Sequence, residues 1–303
     1  MSEISYHIPA LLPQTLECLD IKPDGIYIDA TFGGGGHSRA ILERLGPDGR
    51  LLGFDQDLDA LANAPDDPRF TFVRSNFRFA PNFMRYYGID RVDGILADLG
   101  VSFHHFDDPQ RGFSFRVDAP LDMRMNQTAP LTAAELIASS SEKDILSLLR
   151  TYTDLKNAPK AARAITAAAE SSGILTTFQL ADAVRPALNP KGEKKEMAQV
   201  FQAFRIAVNA EMEALTDLLS AAPRLLRPGG RAVILTYHSV EDRIVKNYFR
   251  SGNAEGNVEK DFFGKVICDW IPVTRSPIQA DAAEVERNPR SRSAKLRAAM
   301  TRD

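Results

Sequence analysis

Cysteine is nearly absent from this 303-residue chain: Cys18 and Cys268 stand far apart, and neither belongs to a C-x-x-C. That spacing excludes a disulfide framework and gives no zinc-ribbon pattern, so no structural metal is expected, and both thiols are expected to act as small buried hydrophobes. No run of about 18 apolar residues occurs, so no membrane-spanning helix is expected. The N-terminal stretch Met1 to Pro9 carries Glu3 and no basic region ahead of an apolar core, so a secretory signal is not expected either. The simplest reading is a reduced, cytoplasmic protein. There is also no excess of positive charge: the formal net charge is -3. Nucleic acid therefore enters only through local clusters of basic residues. With 44% hydrophobic and 25% charged residues, the chain can bury a core, which excludes a disordered protein.

The first hundred residues alternate strand-like and helix-like patterns. Gly25 to Ala30, Arg50 to Asp55, Phe70 to Val73 and Val92 to Asp98 read as strands, three of them carrying an acid at or near the carboxyl end. Helical spacing follows the first strand at Ile41, Leu42 and Leu45, the second at Leu58, Leu61 and Ala62, and the third from Phe79 to Tyr87. Parallel neighbours need crossovers of this length, so βαβ units in a parallel sheet are expected. After Asp98 the alternation stops. Residues from about 104 to 132 show no period, and residues 132 to 209 read as helices, with Met197, Phe201, Phe204 and Val208 forming a buried stripe. Asn189 to Lys195 reads as an exposed loop. Met212, Leu215, Leu218, Leu219, Ala222 and Leu225 then mark an amphipathic helix stopped at Arg227-Pro228-Gly229-Gly230, and Arg231 to Tyr237 reads as a strand. Ser239 to Asp242 resembles a capping signature for a further helix. The economical account is one α/β domain, residues 1–103 and 210–303, interrupted by a helical insertion at 104–209.

The strongest chemical signal is a strand ending in Asp29, then Gly33-Gly34-Gly35-Gly36, then a helix. Glycine admits close approach of a ligand to the backbone, and a helix start offers N–H groups. Asp55 ends the next strand, where a ribose diol could be held. The glycines alone do not choose between a dinucleotide and S-adenosylmethionine. Two features favour the latter. The pattern is not G-x-G-x-x-G, and Leu226-Arg227-Pro228-Gly229-Gly230 before a strand is typical of class I methyltransferases.

Seven segments together carry a closer resemblance. They are Asp29 to Ser38, Asp98-Leu99-Gly100-Val101-Ser102, Arg111-Gly112-Phe113-Ser114-Phe115, Pro120 to Met125, Phe201 to Asn209, His238 to Lys246, and Asn288 to Arg297. In this order, along nearly the whole chain, they resemble the bacterial 16S ribosomal RNA cytosine-N4 methyltransferases, the small-subunit methyltransferase H or MraW family. The resemblance implies a class I, Rossmann-like α/β fold with a mostly parallel sheet and a helical insertion for substrate recognition. It implies S-adenosyl-L-methionine as cofactor, 16S rRNA or the 30S subunit as partner, and methylation of N4 of cytidine 1402 in the decoding centre. The family's cofactor contacts fall on Gly35, Gly36 and His37, on Asp55, on Phe77, on Asp98 and on His105. Two departures stand out. Gly34 occupies a position where the family usually has Arg, and Ser102-Phe103-His104-His105 stands where it usually has Ser-Ser-Pro-Gln, so His105 replaces an amide.

On the substrate side, cytosine N4 is a poor nucleophile because its lone pair is delocalised into the ring, so alignment and an acceptor for its hydrogens carry the catalysis. Asp98 is the candidate acceptor. For RNA contact the candidates are Arg111, Arg116 and Arg124, beside Phe113 and Phe115, and Arg290, Arg292 and Lys295 in the basic C-terminal run. A nicotinamide oxidoreductase and a non-catalytic assembly factor of the same fold are the competing readings.

Overall fold

The structure is a computed structural model that describes residues 9–100 and 108–302. The chain forms two compact units. One takes the chain up to Gly100 and resumes at Met212; the other ends at Glu211.

The first unit is built on one eight-stranded sheet: β1 (Ile26–Asp29), β2 (Arg50–Asp55), β3 (Phe70–Arg74), β4 (Val92–Asp98), β5 (Leu226–Thr236), β6 (Trp270–Pro272), β7 (Ile278–Gln279) and β8 (Lys295–Thr301). The order is β3-β2-β1-β4-β5-β8-β6, with β7 also paired to β8. Strands β1 to β5 run parallel, and β8 is antiparallel to β5, β6 and β7. This is the Rossmann-like α/β architecture expected from the alternation of strands and helices.

Side chains alternate across the sheet. Ile28, Leu52, Phe54, Ile95 and Ile234 face one core, completed by Leu215, Leu218, Leu219 and Ala222 of the helix Glu211–Leu225 and by Val245, Tyr248 and Phe249 of the helix Ser239–Ser251. Tyr27, Leu51, Leu96, Val233 and Leu235 face the other, against Leu16 and Leu19 of the helix Leu12–Leu19 and Ile41 and Leu42 of the helix Gly36–Leu42. Burial on both faces explains why these strands read as unbroken apolar runs.

The strand order reverses between β1 and β4: β2 and β3 lie to one side of β1, β4 and β5 to the other. Beyond the carboxyl ends at such a reversal an open parallel sheet leaves its ligand crevice. Asp29, Asp55 and Asp98 are the last residues of β1, β2 and β4.

Two local expectations are corrected. The helix ends at Leu225, earlier than Arg227, because Leu226 already pairs with Val92; the register then slips before Arg231 pairs with Gly94, so Pro228-Gly229-Gly230 lies within an irregular β5. The cap of the following helix is His238 rather than Ser239: its Nδ1 accepts from the Glu241 N–H, and the Glu241 carboxylate accepts from the His238 N–H. The basic C-terminal run is anchored in the sheet: Lys295 and Arg297 lie in β8, between β5 and β6.

The second unit contains the helices Ala133–Ser139, Glu142–Tyr152, Ala158–Ser172, Thr177–Val184 and Glu193–Val208. Capping boxes at Thr132/Glu135, Ser141/Asp144 and Thr176/Gln179 start three of them. Met197, Phe201 and Phe204 are buried, as their spacing predicts. Glu193 to Lys195 belong to the last helix rather than to a loop. The aperiodic residues before Thr132 are packed too: Phe113, Leu121 and Met123 are core, and Asn209 ties the segment by accepting from the Met125 N–H at 2.7 Å and donating to the Met123 carbonyl at 2.8 Å.

Candidate active site

Three strand ends and one glycine turn build the site. Asp29 is buried, and both its oxygens serve the turn: Oδ1 accepts from the Thr31 N–H at 3.1 Å, Oδ2 from the Ser38 hydroxyl at 2.7 Å. Burial raises its pKa, and the two hydrogen bonds and the neighbouring His37 oppose that rise. Thr31 continues the chain of contacts, since its Oγ1 accepts from the Asp98 N–H at 2.7 Å. Asp29 therefore orders the turn, and Thr31 locks it to the end of β4.

The turn needs its glycines. Gly33 and Gly35 have φ of 50° and 72°, in the left-handed region. A Cβ on Gly35 would sit 2.9 Å from the Phe32 ring and from the Arg39 guanidinium. Gly35 is the N-cap of the helix Gly36–Leu42, so the first amides of that helix have no earlier carbonyl within it to bond. At Gly34, where the resembled family carries Arg, the Cβ direction is open, and Arg39 donates to the Gly34 carbonyl at 2.5 Å and to the Asn63 carbonyl at 3.3 Å.

Asp55 is half-buried. Oδ2 accepts from the Gly33 N–H and Oδ1 from the Asp57 N–H, each at 2.8 Å. Phe77 is half-buried at the start of a 3-10 turn after β3, and the preceding Asn76 donates to Gln56 Oε1 at 3.3 Å, which brings that turn beside the end of β2. The sequence-predicted set Gly35, Gly36, His37, Asp55, Phe77 and Asp98 thus gathers on neighbouring strand ends of one sheet. His105 lies outside the described residues.

Asp98 is held between two polar side chains. Its Oδ1 accepts from the Tyr237 hydroxyl at 2.7 Å, and its Oδ2 lies 3.5 Å from His37 Nδ1. Burial, with Glu241 nearby, pushes its pKa up to about 7 against the stabilising Tyr237 hydrogen bond. Tyr237 is itself raised by burial and by the Asp98 carboxylate. His37 is lowered by burial, and its Nε2 lies 3.3 Å from the Ala10 carbonyl. Sequence reading missed Tyr237, Thr31 and Ser38. Tyr237 follows β5 directly, so the pairing of Asp98 with Leu235 puts it at the same sheet edge; only the strand order, invisible in the sequence, reveals this.

The RNA candidates divide. Arg111 is 3% exposed, and its guanidinium donates to the Arg124 and Met125 carbonyls at 3.0 Å each. This corrects its expected place on an RNA-facing surface: it ties the loop from inside. Arg124 grips Asp122 through Nε at 2.8 Å and Nη2 at 2.7 Å and donates to the Ala129 carbonyl. Lys295 lies 3.4 Å from Asp242, which also pairs with Arg297 at 2.7 Å. Arg116, Arg290 and Arg292 are exposed.

Comparison with known proteins decides the family: residues 4–302 match the MraW methylase family. The chain belongs to that family. Ribosomal RNA small subunit methyltransferase H of Bacteroides thetaiotaomicron is 55% identical over 297 residues, covering 98% of each chain. The protein of the same name from Parabacteroides distasonis is 56% identical over 295 residues, covering 97% of each. Among solved structures, an rRNA methylase from Streptococcus thermophilus aligns with a TM-score of 0.40 at 10% identity, over 96% of this chain and 95% of that one. This MraW methylase is an enzyme of the α/β class. Its two cysteines are free and buried, and among the described residues no helix is long and apolar enough to cross a membrane.

Proposed function

We propose that this MraW methylase transfers a methyl group from S-adenosyl-L-methionine to N4 of cytidine 1402 in the 16S rRNA of the small ribosomal subunit. The observation that carries the reading is the carboxyl of Asp98 at the β1/β4 reversal, gripped by Tyr237, beside a glycine turn locked to Asp55. The names of the relatives at 55% and 56% identity support the rRNA substrate. The atom and the position rest on the resemblance of the seven motifs.

The residues present fit the cofactor. A bare backbone is required at Gly35, where a Cβ would meet Phe32 and Arg39, and the Asp55 carboxylate anchoring the turn suits a ribose. Bound there, S-adenosylmethionine supplies an electrophilic methyl on a sulfonium. The N–H groups of Gly36 and His37 would meet its carboxylate; the Gly35 N–H, expected beside them, instead donates to the Phe32 carbonyl at 2.8 Å and closes the turn. Asp55, whose oxygens accept from the Gly33 and Asp57 N–H groups, would also accept from the ribose hydroxyls at the end of β2. Phe77 would lie against the adenine. Asp98 would accept a hydrogen of the N4 amine, orienting the nitrogen and raising its electron density as the bond forms. Methylation at carbon 5 needs a cysteine nucleophile, and Cys18 and Cys268 are 7% and 9% exposed, away from these strand ends.

In this reading, residues 1–103 and 210–303 bind the cofactor, and 104–209 recognise RNA. Arg116, Arg290 and Arg292 would contact phosphate because they are exposed; Arg111 is buried, and Arg124 and Lys295 pair with Asp122 and Asp242. The test is incubation of the protein with S-adenosylmethionine and 30S subunits lacking the modification, followed by nucleoside mass spectrometry. N4-methylcytidine at 1402 is expected. Its absence, or a methyl on another atom, overturns the proposal.

A further inference from the structure

The imidazole of His37 and the phenol of Tyr237 flank one carboxyl group, that of Asp98. The Ala10 carbonyl can only accept, so the contact at 3.3 Å puts a hydrogen on His37 Nε2. In the neutral ring Nδ1 is then a lone pair, and it faces Asp98 Oδ2 at 3.5 Å. Two acceptors do not settle face to face in a buried site; a proton between them, on either partner, resolves the contact. On the other side the Tyr237 hydroxyl donates to Asp98 Oδ1 at 2.7 Å.

Among the described residues, the neighbouring polar groups are engaged elsewhere. Its own N–H is held by Thr31 Oγ1. The Asp29 carboxylate is taken up by Thr31 and Ser38. The Glu241 carboxylate accepts from the Tyr237 N–H at 2.9 Å and the His238 N–H at 3.3 Å. The Tyr237 ring lies against the side of Gly100 that bears no Cβ; one added there would come within 3.3 Å of its Cδ2. Both oxygens of Asp98 are thus oriented from outside, while its side chain keeps 23% of its surface open.

We propose that Tyr237 and His37 are positioning residues for Asp98: the phenol fixes one carboxyl oxygen, the imidazole shares a proton with the other, and together they aim the remaining lone pairs at the amine of the target base. This extends the role of His37 from its backbone to its ring. The inference rests on the assignment of Asp98 as the acceptor for N4. Preorganised partners of this kind raise the rate without strengthening cofactor binding.

The experiment is single-turnover methylation of 30S subunits at saturating S-adenosylmethionine, from pH 5.5 to 9, with the wild type, Tyr237→Phe, His37→Asn and Asp98→Asn, alongside cofactor affinity by calorimetry. Tyr237→Phe keeps the ring and removes only the donor. Its rate is expected to fall about tenfold, the scale of one hydrogen bond to a charged group, with cofactor affinity within about twofold. Because the lost bond favoured the ionised carboxyl, the acid limb of its pH profile should move to higher pH, which a merely structural role does not produce. His37→Asn should lose rate similarly and keep cofactor affinity. Wild-type rates in both variants, or a rate loss with no movement of the limb in Tyr237→Phe, overturns the inference. If Asp98→Asn alone loses rate, this inference fails and the acceptor assignment stands; if Asp98→Asn keeps the wild-type rate, the acceptor assignment itself fails. A measurement independent of both variants is the NMR titration of the His37 ring in the wild type and in Asp98→Asn: the midpoint should drop in Asp98→Asn, and an unchanged midpoint contradicts proton sharing.

Discussion

The Gly33 N–H donates to Asp55 Oδ2 at 2.8 Å, so the glycine turn after β1 and the acid that ends β2 are one mechanical piece. The same carboxylate would hold the ribose, so ligand and turn share an anchor. Asp55→Ala should weaken S-adenosylmethionine binding by about 1.5–3 kcal/mol, the range for hydrogen bonds to a charged group. Calorimetry checks it; an unchanged affinity in a folded variant would falsify the ribose assignment.

Gly35 and Gly34 should respond oppositely to the same substitution. Gly35→Ala forces an L side chain to φ 72° against the Phe32 ring, at a cost of about 1–2 kcal/mol before any clash is relieved. Gly34→Ala meets open space and should leave stability and cofactor affinity near wild type. Denaturant melts and calorimetry on the pair measure this. Equal losses at both positions would contradict the tight packing and positive φ described for Gly35.

The Asp98 carboxyl imposes a pH signature on stability. Its folded pKa is raised from 3.8 to about 7, so the folded state holds a proton that the unfolded state has released. The stability this contributes is fully present below the unfolded value and is lost as pH rises through the folded one. Asp98→Asn removes the charge, so the thermal midpoint of the variant relative to wild type should be higher at pH 8 than at pH 4. A difference that does not change with pH would show that burial does not disfavour the ionised form.

The basic C-terminal residues should separate into two kinds. Replacing the exposed Arg290 and Arg292 by Ala should weaken 30S binding, flatten its salt dependence and spare cofactor affinity. Lys295→Ala should leave the salt slope unchanged, since its amine is 3.4 Å from Asp242 within the fold. Filter binding across a salt series distinguishes them; a slope lowered by Lys295→Ala and untouched by the double variant would reverse the assignment.

What the sequence disclosed and what it hid follow from the range of the forces involved. β2 and β4 could be read to the residue because a strand buried on both faces is a continuous apolar run, and here each run ends in a charged Asp. The glycine turn was visible because positive φ leaves a compositional mark. The partners of Asp98 left none: Tyr237 is 139 residues away, and only the β4–β5 pairing joins them. The segment from about 104 to 132 shows no period, and in its described part, from 108, Arg111, Asn209 and Asp122 hold the chain through local hydrogen bonds rather than a periodic face. Arg111 misled for the same reason: beside Phe113 it reads as a surface cation, yet its ring contact and both carbonyl partners are internal. Glu193 to Lys195 read as loop from the preceding Pro190 and Gly192, whereas two acids in the first turn, Glu193 and Glu196, favour a helix start there.

The most direct measurement is single-turnover methylation of unmodified 30S subunits at saturating S-adenosylmethionine by the wild type and Asp98→Asn, with the methylated atom located by mass spectrometry. The account predicts N4-methylcytidine at position 1402 and a rate that falls at least about tenfold in Asp98→Asn, more than cofactor affinity falls. A wild-type rate in Asp98→Asn, or a methyl group on any other atom, would contradict it.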